Sequence, residues 1–130
     1  MSPDRLYVQI AKTVWQAVSE GDVDTLSEVC TEDLAWHASG QGPRAGSYRG
    51  QEQVFAYLAS IGEDTERFDL TLEDILVGGE RGALLFRISG LRKGRQLETG
   101  YILLFRIEGD RLAEVWTVAR DQYAVDEFWA

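Results

Sequence analysis

Apolar side chains recur every three or four positions over residues 5–19, at Leu6, Ile10, Val14 and Val18, with Tyr7, Ala11 and Trp15 beside them. That spacing predicts an amphipathic helix. Gly21 follows where a helix can end on a left-handed residue, and Asp22 can cap the next helix by accepting a bond from an early N–H. The second helix, about 23–30, is short and apolar at Leu26, Val29 and Cys30. Residues 33–39 then switch to alternation, with Leu34, Trp36 and Ala38 on one face of a strand and Ala35 and His37 on the other. The Gly/Pro cluster from Ser39 to Gly50 reads as a loop. Helical spacing returns at Val54, Phe55, Leu58 and Ile61, for a third helix over 51–61.

The second half of the chain is strands. Phe68, Leu70 and Leu72 alternate with polar residues, and further strands are expected over 83–91, 97–107 and 112–120, separated by turns at 77–82, 92–95 and 108–110. Gly109-Asp110 marks a compact hairpin. The tail, 121–130, is apolar at Tyr123, Val125, Phe128 and Trp129 and is expected to pack back on the fold. Helices first and an antiparallel sheet afterwards is an α+β layout.

Composition narrows the partners. The 130 residues fit a single domain, 1–130, with no internal repeat. Thirteen basic against 22 acidic side chains leave a net charge of −9. This disfavours nucleic acid, whose affinity rests on Lys and Arg at phosphates, and an anionic membrane surface. The single cysteine, Cys30, forms no intrachain disulfide and falls in an apolar pattern, so it reads as a core residue. Met1 to Asp4 has no basic segment followed by an apolar one, no apolar run approaches the roughly 20 residues of a membrane span, and a cytoplasmic protein is expected. One His and one Cys among scattered acids lack the spacing of a metal site.

Three segments carry a family resemblance: Glu20-Gly21-Asp22-Val23-Asp24, then Trp36-His37-Ala38-Ser39-Gly40 through Ala45-Gly46-Ser47-Tyr48-Arg49-Gly50, and Glu114-Val115-Trp116. With the order of elements, they resemble the SnoaL-like branch of the nuclear transport factor 2-like superfamily, over nearly the whole chain. The resemblance implies a cone-shaped barrel, a strongly curved, mostly antiparallel sheet packed against three N-terminal helices and enclosing an apolar pocket. Relatives include ketosteroid isomerase, polyketide cyclases, limonene epoxide hydrolase and non-catalytic modules, so fold does not fix function. Relatives often pair through the open sheet face, which implies a homodimer.

The positions that serve those relatives are mostly apolar here. The tyrosine, base and second aspartate of ketosteroid isomerase fall near Val14, on Ala38 and near Leu103. Of the Asp-Arg-Asp set of limonene epoxide hydrolase, an arginine survives at Arg87 and both carboxylates are missing. SnoaL-type cyclases fit better, and imply a pocket carboxylate, for which Asp121 at the end of the last strand is the candidate.

His37 is the one histidine, with an unperturbed pKa near neutrality that suits a general base or acid. An Asp121 carboxylate beside it would fix its tautomer and stabilise the imidazolium. The resemblance places Trp116 in the cavity, but strict alternation puts Asp121 and Trp116 on opposite faces. If Asp121 is structural, Glu114 is the pocket carboxylate, and burial would raise its pKa and make it an acid. Trp15, Trp36, Tyr48, Phe55, Phe86, Tyr101 and Trp116 are the candidate substrate-binding residues. The chemistry expected is cofactor-independent proton transfer (isomerase, cyclase or lyase type) on a small apolar, cyclic substrate. The alternative is a non-catalytic binding or dimerisation module, with a filled cavity or one lined only by apolar atoms.

Overall fold

The computed structural model describes residues 3–130; the expectation about a leader at Met1 and Ser2 lies outside them. The elements run α1 (Pro3–Glu20), α2 (Val23–Val29), β1 (Cys30–Ala38), β2 (Gly46–Arg49), α3 (Gln51–Glu63), β3 (Arg67–Val77), β4 (Gly82–Arg92), β5 (Arg95–Glu108), β6 (Arg111–Ala119) and α4 (Gln122–Trp129). Helix α1 stops where Gly21 takes φ 68°, and Asp22 caps α2 by accepting from the Thr25 N–H. Both follow from the local sequence.

Six strands form one sheet in the order β2-β1-β6-β5-β4-β3. Every neighbouring pair is antiparallel except β1 with β6, which is parallel. A parallel pair needs a long crossover, and here the crossover is most of the chain. Register shifts fall between Cys30 and Ala35, Leu72 and Asp74, and Arg106 and Ile107. An extra residue on one strand bends it and increases its twist, so these shifts curl the sheet around the helices.

The core sits between the concave face and the helices. Ile10, Val14 and Ala17 of α1 meet Leu84, Phe86, Leu103, Phe105 and Val115 of the sheet, all buried. The tail is a fourth helix. Asp121 accepts from the Ala124 N–H at its start, and Val125, Phe128 and Trp129 are buried on its inner side. Cys30 lies at the junction of α2 and β1, buried, and desolvation pushes its thiol up to about 12.

The loop expected over 39–50 holds a strand. Gly46–Arg49 pairs with β1, with Trp36 opposite Tyr48 and His37 opposite Ser47. Its four residues begin at Gly46, with φ 134°, and are followed by Gly50, with φ 83°. Such a segment carries no periodic signal of its own; only its partner strand makes it a strand.

Candidate functional site

A cavity of about 750 Å³ opens between the helices and the concave face. Its walls carry six apolar aromatic rings, Trp15, Trp36, Phe55, Phe68, Phe86 and Trp129, among aliphatic side chains. Trp15 and Phe86 have ring centroids 5.2 Å apart, and Phe86 and Tyr101 5.6 Å at an interplanar angle of 20°. Flat, apolar walls of this kind suit a planar ring system.

Polar groups gather where the loop 39–45 meets α3 and α4. Arg44, Tyr57, Tyr101 and Asp126 all line the cavity there. Burial pushes the Tyr57 phenol up to about 12, with Tyr48 adding to the rise and Arg44 opposing it. Burial pushes Tyr101 higher, helped by Tyr57 and by the Asp126 carboxylate. Both phenols are therefore neutral O–H groups at physiological pH. Neither hydroxyl is hydrogen-bonded within the described residues, so each has a donor to offer.

Asp126 is held by the loop. Its Oδ1 accepts from the N–H of Gly42 at 3.2 Å and from Gln122 Nε2 at 3.0 Å, and its Oδ2 accepts from the N–H of Gln41 at 3.2 Å. Gly40 belongs to this arrangement, since a Cβ there would lie 2.5 Å from Asp126 Oδ1 and 2.3 Å from Gln122 Nε2. Arg44 secures the other side. It donates to Ser60 Oγ and to Asp64 Oδ2, and its guanidinium lies 4.4 Å from the Trp129 ring centroid and 5.5 Å from that of Tyr57.

The convex face carries a second polar cluster. His37 Nε2 lies 2.7 Å from Glu114 Oε2, and His37 Nδ1 lies 2.8 Å from Ser47 Oγ. Arg106 Nε donates to the other oxygen of Glu114 at 3.4 Å. The Trp116 ring stacks on His37 at 5.7 Å, and the Arg81 guanidinium sits 4.8 Å from the Trp116 centroid.

Residues 11–115 match the family model of the SnoaL-like domain. The chain belongs to the SnoaL-like domain family. Among solved structures, Bal32a from a soil-derived mobile gene cassette is 31% identical, with a TM-score of 0.89 over 96% of this chain and 99% of that one. An uncharacterised protein of Mycobacterium tuberculosis, Rv0034, is 24% identical over 95% of both chains. A candidate SnoaL-like polyketide cyclase of Jannaschia sp. CCS1 is 20% identical, with a TM-score of 0.78 over 99% of this chain and 95% of that one, a likeness of fold alone.

Within this SnoaL-like domain, the cavity takes Trp15, Trp36, Phe55, Phe86 and Tyr101 from the expected binding residues. Tyr48 is not on its wall: it stacks on Tyr57 at 4.1 Å and donates its O–H to the Arg44 carbonyl. Trp116 is on the convex face, because Val115 and Thr117 hold the inward phase of β6. His37 and Glu114 meet on the convex side, outside the cavity, since Trp36 and Ala38 take the cavity side of β1. Nor is Glu114 a raised-pKa acid; the bond from His37 lowers its pKa by more than burial raises it, and Arg106 adds to the lowering. Asp121 is the cap of α4 and takes no part in the cavity.

Sequence reading missed Asp126, Tyr57 and Arg44 as cavity residues. Asp126 did carry a signal, lying one helical turn before the buried Trp129, but the tail had to be recognised as a helix first. Arg44 and Tyr57 had none, because they come together only through the loop path. Among the described residues no group of three or more His, Cys, Asp or Glu side chains converges as metal ligands would, and no helix is long and apolar enough to cross a membrane.

Proposed function

We propose that this SnoaL-like protein is a cofactor-independent enzyme of the cyclase or isomerase type, moving a proton on a small, apolar, ring-bearing substrate inside the cavity. One observation carries the reading: an aromatic cavity of about 750 Å³ that is open and has a carboxylate, Asp126, beside two neutral phenols, Tyr101 and Tyr57. A cavity that served packing alone would be filled or lined only by apolar atoms.

In this mechanism the substrate ring lies along Trp15, Phe86 and Trp36, with a carbonyl toward Tyr101 and Tyr57. Asp126 removes a proton from the carbon next to that carbonyl. Its Oδ2 carries one N–H bond, from Gln41, and a carboxylate oxygen has a further lone pair for the proton. The two phenols donate to the oxygen as enolate charge develops, in a cavity where low dielectric strengthens each bond. The carbanion equivalent is then reprotonated elsewhere or attacks a second carbonyl, giving isomerisation or ring closure. The fold likeness to a candidate polyketide cyclase agrees with this class of chemistry.

A second reading, a non-catalytic binding module, is favoured by the N–H bonds from Gln41 and Gly42 on Asp126, which occupy part of the carboxylate and anchor the loop. Deuterium exchange separates the two. With 2-tetralone as a bicyclic ketone probe in D₂O, exchange of the α-hydrogens followed by NMR should be accelerated by the wild type. Asp126→Asn should lower that rate by about 10²-fold or more, the usual size of a general-base contribution. Quenching of the cavity tryptophans by 2-tetralone without accelerated exchange would leave a binding module.

Pairing of two copies is part of either reading. Leu76 on β3, Ile102 on β5 and Val118 on β6 are exposed on the convex face, at 49, 40 and 45%. Sedimentation equilibrium tests this, with Ile102→Glu expected to give monomers. A cytoplasmic setting belongs to the same proposal.

A further inference from the structure

The convex-face cluster lies outside the cavity and has no part in the chemistry above. It has the connectivity of a nucleophilic relay: a serine hydroxyl, an imidazole and a carboxylate in series, Ser47 Oγ to His37 Nδ1 at 2.8 Å and His37 Nε2 to Glu114 Oε2 at 2.7 Å.

The proton positions follow from what each group can do. Glu114 has its pKa lowered by the His37 bond and is a carboxylate, which only accepts. Nε2 therefore carries the proton of the neutral ring. Nδ1 is left with its lone pair, and the Ser47 hydroxyl must be the donor in that bond. This is the arrangement that lets a histidine take a proton from a serine, with the two ring nitrogens exchanged relative to the serine protease arrangement. Arg106 on the second Glu114 oxygen holds the carboxylate in place, and Trp116 holds the ring plane.

The strand register brings the serine to the histidine and also supplies a donor for an oxyanion. Strand β2 is at the edge of the sheet. The Gly50 N–H donates to the Leu34 carbonyl at 2.8 Å, so Leu34 and Gly50 are a hydrogen-bonded pair. Such pairs alternate along an antiparallel ladder. Trp36 with Tyr48 is then the next bonded pair, and His37 with Ser47 is the closely spaced kind in which side chains meet. In that phase the Ser47 N–H points away from β1, to the open edge. Arg49 is in the same phase, and its outward N–H is taken by Gln53 Oε1 at 2.6 Å. No side chain takes that of Ser47 among the described residues. Ser47 is exposed, so both its hydroxyl and its amide are open to a substrate.

We propose that Ser47, His37 and Glu114 form a second site, a nucleophilic serine centre that takes small aryl esters. Ser47 Oγ attacks the acyl carbon while its proton passes to His37 Nδ1. The Ser47 N–H donates to the developing oxyanion. The ester C–O bond breaks, and the proton on Nδ1 goes to the departing phenolate. Water then attacks the acyl-serine, giving a proton to His37 Nδ1; the bond from Ser47 Oγ to the acyl carbon breaks, Oγ takes that proton back, and the acid is released. The net reaction is ester plus water to acid plus phenol. The Trp116 ring beside His37 gives the aryl group an aromatic neighbour. Ser47 and His37 are the catalytic residues, and Glu114 is a positioning residue.

The test is covalent labelling of the full chain by a fluorophosphonate, read by intact mass and peptide mapping. One adduct per chain on Ser47 is expected. Ser47→Ala, a small change at an exposed position, should keep the circular dichroism spectrum and lose the adduct. His37→Gln should slow labelling at least 10²-fold. Glu114→Gln should lower the labelling rate at saturating probe while leaving the half-saturating concentration unchanged, a split that a merely structural role would not give. Hydrolysis of p-nitrophenyl acetate should fall to the Ser47→Ala background in parallel. No adduct, an adduct on another residue, or labelling of His37→Gln at the wild-type rate would overturn the proposal and leave the cluster as a clamp on the edge strand. None of these outcomes depends on the cavity chemistry, whose exchange assay Ser47→Ala should leave unchanged.

Discussion

The Arg44 guanidinium lies 4.4 Å from the centroid of the Trp129 ring, and this contact ties the glycine-rich loop to the C-terminal helix across the cavity mouth. On the other side the same guanidinium bonds to Ser60 and Asp64 of the α3 end. Its side chain is 16% exposed, so the charge is largely desolvated, where a cation over an indole contributes up to about 2 kcal/mol. Arg44→Ala should therefore destabilise the protein by about 1–3 kcal/mol in urea denaturation, and weaken 2-tetralone binding through the loosened loop. Arg44→Lys should recover only part of either, because an ammonium cannot stack as a planar guanidinium does.

Phe86 joins the cavity wall to the core, standing between Trp15 and Tyr101 and 7% exposed. Its truncation to alanine should cost about 3–5 kcal/mol. Because one side of the ring already borders open space, the lower end is expected. Chemical denaturation measures the cost.

The tyrosine hydroxyls can be removed without touching the walls. Tyr101→Phe and Tyr57→Phe should leave stability nearly unchanged, since neither hydroxyl is bonded within the fold. Each should reduce exchange of 2-tetralone by about tenfold or more if the phenols hold the enolate oxygen. Loss of stability with unchanged exchange would assign both to packing. Tyr57, pushed up to about 12, should remain un-ionised at pH 10 in a spectrophotometric titration.

Cys30 should be inert in the folded protein. It is 1% exposed and its thiol is pushed up to about 12 by burial, and the thiolate is the reactive form. A disulfide-exchange reagent such as dithionitrobenzoate at pH 8 should find no thiol in the native protein and one thiol per chain in 6 M guanidinium.

Glu114 gives the acid limb of stability a defined sign. Its folded pKa is lowered, first by the His37 bond and further by Arg106. A carboxylate of this kind stabilises the fold above its unfolded pKa, roughly 4.3, and loses that contribution as pH falls through the folded value. Glu114→Gln should be less stable than the wild type at pH 7. The gap should close below about pH 4, seen as converging denaturation midpoints.

Much of the fold was legible in the chain because its signals are local. The 3–4 spacing of α1 and α3, the Gly21 and Asp22 punctuation, and the alternation of β1 and β3–β6 depend on neighbours a few residues apart. The face of His37 was legible too: alternation alone sets it opposite Trp36 and Ala38. Alternation cannot say which face of a strand the cavity uses. That was decided by the closure of α1, α3 and α4 over one side of a sheet bent by three register shifts, which made Trp36 and Ala38 the inner set and put His37, Glu114 and Trp116 outside. Asp121 and Asp126 show the same division. As sequence they are two acids five residues apart in one tail. Once the tail coils into a helix, the first satisfies a free N–H at its start, and the second bonds to the loop and lines the cavity. The sequence determined the elements and their two-sided character, because those rest on periodicity. The tertiary structure decided which side became the site, because that rests on contacts between residues far apart in the chain.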